Sequence, residues 1–169
     1  MTTPVSALTV TIEELGRFGA DLLSALHGRV FAGDTGERWR TEDLLQVLRL
    51  PGALCLFAVC DGTPRGYVLL RFAADECELL SLGVDPGLRR CGIGRRLMDA
   101  VHARCRAAGT ARLFLEVRES NLAARTFYSS RGFVEIGRRR NYYRRSCGRS
   151  EDAITMARVF TRNCSPTPP

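Results

Sequence analysis

The spacing of apolar positions changes several times along the chain, and each change marks an element. Val5 to Thr11 reads as a short first strand. From Ile12 to Phe31, the positions Leu15, Phe18, Leu22, Leu23, Leu26 and Val30 recur at helical spacing and predict a first helix. The polar run Ala32 to Arg38 interrupts it. Thr41, followed by Glu42 and Asp43, then predicts an N-cap for a second helix through Arg49, stopped by Pro51-Gly52. Ala53 to Cys60 and Gly66 to Phe72 are apolar runs around Asp61-Gly62-Thr63-Pro64, a hairpin signal. A third strand, Glu78 to Val84, ends at Asp85-Pro86-Gly87. A helix with the stripe Ile93, Leu97, Val101 and Cys105 follows to about Ala108, closed by Gly109. Leu113 to Val117 is nearly all apolar, as in a strand covered on both faces. Ser120-Asn121 can cap a helix to Arg131, which Gly132 ends. Phe133 to Ile136 and Ala153 to Phe160 are the last predicted strands, joined by the arginine-rich stretch Arg138 to Arg149.

These elements predict an α/β fold on a mixed sheet: an antiparallel meander, then strand–helix–strand–helix–strand with a right-handed parallel crossover. The 169 residues suit one domain over 1–160, with Thr161 to Pro169, which carries three prolines, expected as a disordered tail. With 45% hydrophobic and 25% charged residues, the composition is globular and excludes a disordered or fibrous class. No apolar run approaches the ~20 residues that cross a bilayer. The first residues lack the basic start and apolar core of a signal peptide, so a cytoplasmic chain is expected.

Charge and cysteine content narrow the chemistry. The net charge of +7 is carried by arginine and is uneven. Residues 89–149 hold 16 Arg against four acids, a local net of +12, while the remainder has a net of −5. That asymmetry points to an anion, either nucleic acid or a multiply phosphorylated cofactor. GC-rich coding accounts for the missing lysines but not for the clustering. The seven cysteines form no C-x-x-C and have only His27 and His102 to help, so no metal site is expected and buried thiols are the plain reading.

The anion has an obvious place to bind. Leu88-Arg89-Arg90-Cys91-Gly92-Ile93-Gly94-Arg95 joins a strand to a helix. Gly92 and Gly94 let backbone amides approach a ligand, and the helix start favours phosphate oxygens. Leu97 stands where the third glycine of a dinucleotide fingerprint belongs, and there is no G-K-[ST], so both of those phosphate loops are excluded.

Val84-Asp85-Pro86, followed by Arg89-x-x-Gly92-x-Gly94, resembles the acetyl-CoA loop of the GCN5-related N-acetyltransferases. Leu115-Glu116-Val117-Arg118, Ser120-Asn121, Phe127-Tyr128 and Arg131-Gly132-Phe133 follow at that family's spacing. Asn141-Tyr142-Tyr143 and Glu151-Asp152-Ala153-Ile154-x-Met156 look like one branch, the bacterial ribosomal-protein alanine N-acetyltransferases. The resemblance covers about residues 50–160. It implies the acyltransferase fold, in which a mostly antiparallel sheet carries a splayed parallel strand pair with flanking helices. It also implies acetyl-CoA as cosubstrate, no metal, and a ribosomal protein N-terminus as acceptor, with lysine side chains or a small amine as alternatives.

By the same resemblance, the backbone of Leu82, Gly83 and Val84 would pair with the pantetheine arm. Arg89, Arg90, Cys91, Gly92, Ile93, Gly94 and Arg95 would hold the pyrophosphate, and the Asn121 amide would also contact the cofactor. Cys91 stands where Gln or Arg is usual, Gly83 where Ala is common, and only Trp39 remains of the usual Phe-x-Pro-Trp.

Acetyl transfer needs a neutral amine, a polarised carbonyl and a proton for the leaving thiolate. With reference pKa values of about 7.7–8.0 and 10.4, roughly one α-amine in ten and one lysine in several thousand is free at pH 7. An N-terminus is therefore the easier acceptor. Glu116, interrupting an apolar strand, is the candidate base, and partial desolvation would raise its pKa toward the working pH. Read alone, it is equally a solvated strand-end acid paired with Arg118. Tyr128 is the candidate acid, since a phenol stays protonated at pH 7; read alone, it is a core aromatic beside Phe127. The resemblance assigns these two residues the proton-accepting and proton-donating roles.

A noncatalytic reading also stands. Arg138 to Arg149, with Tyr142-Tyr143 interleaved, could stack and pair with ribosomal RNA, although nucleic acid is not expected as the substrate and no membrane is implied.

Overall fold

A computed structural model describes residues 9–14, 19–32, 40–144 and 150–161. The elements are β1 (Val10–Glu14), α1 (Ala20–Val30), α2 (Thr41–Leu48), β2 (Ala53–Cys60), β3 (Thr63–Ala73) and β4 (Glu76–Val84). After a single 3-10 turn at Pro86–Leu88 come α3 (Ile93–Ala107), β5 (Arg112–Arg118), α4 (Leu122–Ser130), β6 (Val134–Arg144) and β7 (Ser150–Val159). The strands form one seven-stranded sheet in the order β1-β2-β3-β4-β5-β7-β6. Every pairing is antiparallel except β4 with β5, where α3 makes the crossover.

Strand alternation sorts side chains onto two faces. Leu56, Val68, Leu79, Leu113, Leu115, Val117 and Met156 meet Ile93, Leu97, Met98 and Val101 of α3 and Tyr128 of α4. Phe57, Tyr67 and Leu69 pack on the other face against Leu23, Leu26 and Val30 of α1 and Leu44 of α2. Among the described residues, the first two helices cover the β2–β4 part of their face.

The structure revises several sequence expectations. Ile12 to Glu14 belong to β1, which pairs with Leu56 to Ala58, so the first helix starts eight residues later than its apolar spacing predicted. The reason is that Val10 and Ile12 alternate toward the core as strand residues do. The predicted N-terminal part of that strand, and Leu15 and Phe18, lie outside the described residues. Thr41 is the first residue of α2 rather than its cap. The Arg40 backbone N–H donates to Asp43 at 3.0 Å, while the Thr41 hydroxyl hydrogen-bonds Ser24 at 2.6 Å and ties α2 to α1. The β2–β3 turn narrows to Asp61-Gly62, both at positive φ.

β5 is not covered on both faces: Leu113, Leu115 and Val117 are buried, whereas Phe114 and Glu116 are only half-buried. The stretch read as a connection after Ile136 continues as strand to Arg144, paired with β7, and Arg138 and Arg139 find acids alongside. The predicted tail beyond Thr161, the segment 145–149, Trp39, Cys147 and Cys164 lie outside the described residues. Cys55, Cys60, Cys77 and Cys105 are buried free thiols as expected, but Cys91 is exposed.

Candidate active site

The parallel pairing of β4 with β5 runs from Glu76–Arg112 to Leu79–Leu115 and stops. Beyond it β4 continues to Val84, pairing only with β3, and β5 continues to Arg118, pairing only with β7. One backbone edge of Leu80–Val84 and one of Glu116–Arg118 therefore have no strand partner, although a strand edge needs hydrogen bonds. A cavity of about 170 Å³ occupies the opening. Leu82, Glu116, Asn121 and Tyr128 line it, and so do His27, Ser81 and Tyr143.

Glu116 and Tyr128 thus meet at one cavity from different elements. The Glu116 side chain is 18% exposed and accepts a hydrogen bond from Arg139 Nη1 at 2.9 Å. The alternative partner read from the sequence is engaged elsewhere: Arg118 pairs with Glu151 at 3.7 Å and lies over the Tyr143 ring. Tyr128 is buried, with Phe127 and Phe133 in ring contact, and burial pushes its phenol above the ordinary range. It is protonated at neutral pH. Glu78 lies close enough for repulsion from Glu116; burial, then that charge, raises its carboxyl above the usual value.

At the mouth of the opening, Asp85 accepts from the Gly87 amide and Arg65, fixing the strand end. Arg90 and Gly92 both adopt positive φ, 66° and 84°, turning the chain into α3. The first backbone bond of that helix runs from Arg96 N–H to Gly92 O, so the amides just before Arg96 have no helix carbonyl to meet. The loop's side chains divide. Arg89 donates to the Val30 carbonyl at 3.1 Å and closes α1, so its guanidinium is drawn toward that helix. Ile93 is core, Arg95 pairs with Asp99, and Arg90 and Cys91 are exposed. Leu82 and Val84 turn their side chains into the α3-side core, leaving backbone as what they can offer a ligand.

Gly83 has a packing reason. A Cβ there would lie 2.8 Å from both Tyr67 and Val30. Asn121 Oδ1 accepts the Ala124 amide at 3.1 Å and caps α4 while it lines the cavity.

Sequence reasoning missed the opposite wall. Behind Ser81 a buried chain of hydrogen bonds runs from Ser81 to Tyr67 at 2.8 Å and from Tyr67 to His27 at 2.6 Å. The only signal was a histidine and a tyrosine on apolar stripes, which reads as core. The first two arginines of the run are paired: Arg138 with Glu119 and Asp152, and Arg139 with Glu116 while it lies over Tyr142. Paired charges have less to give RNA phosphates, and Arg145 and Arg149 lie outside the described residues. Among the described residues no group of three or more His, Cys, Asp or Glu could hold a metal, and no helix is long and apolar enough to cross a membrane.

A splayed parallel strand pair opening onto a glycine turn and helix N-terminus is the arrangement that the sequence resemblance implies, and comparison with known proteins agrees. The family model of the Acetyltransferase (GNAT) family matches residues 22–133. The chain belongs to this family and is an N-acetyltransferase. It is 37% identical over 129 residues to the [ribosomal protein bS18]-alanine N-acetyltransferase of Escherichia coli, covering 76% of this chain and 77% of that protein. To the N-alpha-acetyltransferase RimI of Mycobacterium tuberculosis it is 37% identical over 153 residues, 88% of this chain and 92% of the relative. The crystal structure of the Escherichia coli ribosomal-protein-S18-alanine N-acetyltransferase superposes with a TM-score of 0.84 at 29% identity, over 95% of this chain and 99% of that one. A PaiA N-acetyltransferase from Thermoplasma acidophilum, solved in complex with coenzyme A, shares the fold, with a TM-score of 0.73 at 21% identity over 90% of this chain and 99% of that one.

Proposed function

We propose that the chain acetylates the α-amine of a ribosomal protein whose N-terminus is alanine, with acetyl-CoA as donor, in the cytoplasm where that protein is made. The observation that carries this reading is the β4–β5 opening, with Glu116 and Tyr128 on one cavity between unpaired strand edges. The residues present fit the donor. Free amides and the exposed Arg90 suit a pyrophosphate, the unpaired edge of β4 suits an amide-bearing arm, and the cavity suits its thioester end. Acetyl-CoA supplies an activated acyl group.

The remaining steps belong to the chain. Backbone N–H groups on the β4 edge orient the arm and polarise its carbonyl. Glu116 takes the ammonium proton of the acceptor, directly or through water, and frees the nitrogen lone pair for attack. Tyr128 gives its phenolic proton to the departing sulfur, and its burial keeps that proton in place until the C–S bond breaks. No covalent enzyme intermediate is required. An α-amine asks less of Glu116 than a lysine does, because more of it is already neutral.

The test is acetylation of a peptide beginning with alanine, with mass spectrometry assigning the modified nitrogen. The label is expected on the N-terminal nitrogen and not on internal lysines. Glu116→Gln and Tyr128→Phe should each lower turnover by about 10²–10⁴ while calorimetry still detects acetyl-CoA binding. Full activity of both variants across a wide pH range would remove the assigned roles.

A further inference from the structure

A second cleft, of about 520 Å³, lies where α3, the end of α4 and β7 meet, and acetyl transfer has no use for it. Asp99, His102 and Arg106 stand at i, i+3 and i+7 on one stripe of α3, and Arg131 and Arg158 complete the wall. Arg106 is about 20 Å along the helix axis from the Gly92–Gly94 turn, at 1.5 Å per residue. Three guanidinium groups face a single carboxylate. Asp99 sits 3.7 Å from Arg131 and is shared with Arg95 at 3.8 Å, while Arg106 and Arg158 pair with no carboxylate among the described residues.

Arg158 is held in place rather than satisfied. Its Nη1 donates to the Arg131 carbonyl and to His102 Nδ1, which fixes the neutral His102 proton on Nε2. That Nε2, on a residue only 6% exposed, has no partner, and neither has the buried Nε of Arg131. Burial and then the neighbouring arginines lower the His102 pKa to about 4, so the cations here are the arginines alone. Arg106 is exposed and open to an anion, and the orphaned nitrogens of His102 and Arg131 are buried on residues that form the cleft wall, where a donor without an acceptor is costly.

We propose that this cleft binds a phosphate group. Planar guanidinium forks suit a tetrahedral oxyanion, and a space within the range of small-molecule sites holds the group together with whatever carries it. Two carriers share that chemistry: a small phosphate ester and the RNA backbone.

The experiment is calorimetry on the full chain with inorganic phosphate at low ionic strength, with coenzyme A saturating so that the glycine turn is blocked. Wild type should bind one phosphate with a Kd on the order of 1 mM. Arg106→Gln, a change at an exposed side chain, and Arg158→Gln should each weaken it about tenfold, the loss of one charged contact. Absence of heat, equal binding by both variants, or phosphate binding that coenzyme A abolishes would overturn the proposal. A parallel titration with a short oligouridylate separates the carriers. Binding that Arg106→Gln weakens in step and phosphate competes for assigns the site to RNA, and its absence beside intact phosphate binding assigns it to a small ester.

Discussion

Gly83 is where packing presses hardest on one residue. It lies on the stretch of β4 beyond the parallel pairing, opposite Tyr67 of β3, and its missing side chain makes room for Tyr67, which is fully buried and held by His27 and Ser81. Because a Cβ would lie 2.8 Å from Tyr67 and Val30, Gly83→Ala must push a fixed ring or a core valine. Overpacking of this kind costs about 1–3 kcal/mol, to be read from the midpoint of urea unfolding. Histidine sets a second single-residue effect. His102 titrates at about 4 in the folded chain against an ordinary 6.5, so between those values the unfolded chain binds more protons. The stability this residue contributes is complete above pH 6.5 and is lost as the pH falls through 4. His27, also lowered by burial, acts in the same direction. Thermal unfolding should therefore show Tm falling between pH 6.5 and 4, and His102→Gln should flatten that slope without abolishing it.

Elements position these residues, and α4 illustrates how. Asn121 Oδ1 holds the Ala124 amide, and the same side chain faces the cavity, so capping and ligand contact can be separated by choice of substitution. Asn121→Ala should cost about 1 kcal/mol of stability through the lost cap. Asn121→Asp keeps a capping oxygen and removes the amide N–H, so Tm should hold while KM for acetyl-CoA rises; equal KM in wild type and Asn121→Asp would leave the residue a cap only. That helix was legible in the sequence, as were the hairpin, α3 and the glycine turn, because each is announced locally by a cap, a turn pair or an apolar stripe. Two boundaries were not. The end of β1, Ile12 to Glu14, hid inside a helical spacing because Ile12 serves either period, and only pairing with β2 decides it. The continuation of β6 past Ile136 hid inside an arginine run because its support comes from Glu119, Asp152 and Glu116 on other elements. The same limit applies at the site: Glu116 and Tyr128 were readable as residue types in a motif, whereas Arg139 as the carboxylate's partner depends on the register of β6 with β7.

Across the whole molecule, the unequal covering of the sheet determines where an acceptor can approach. α1 and α2 pack over β2 to β4, while on the same face β5, β7 and β6 carry Phe114, Glu116, Thr155 and Arg139 with no helix above them among the described residues. Glu116 is opposite Thr155, and Thr155 is opposite Gly137, so the three form one row leading from the cavity to the sheet edge. The exposed Gly137 has negative φ, and its added Cβ would meet nothing nearer than Thr155 at 3.9 Å. A leucine there should fold without strain yet stand on the path an incoming peptide must cross to bring its nitrogen to Glu116. Gly137→Leu is therefore expected to leave Tm and acetyl-CoA affinity unchanged while KM for an alanine-starting peptide rises about tenfold, equivalent to 1.4 kcal/mol of lost acceptor binding. Steady-state kinetics with the peptide varied at saturating acetyl-CoA measure this directly. An unchanged peptide KM would mean that the acceptor enters from the α1 side, past His27 and Phe31, and not across the open strands.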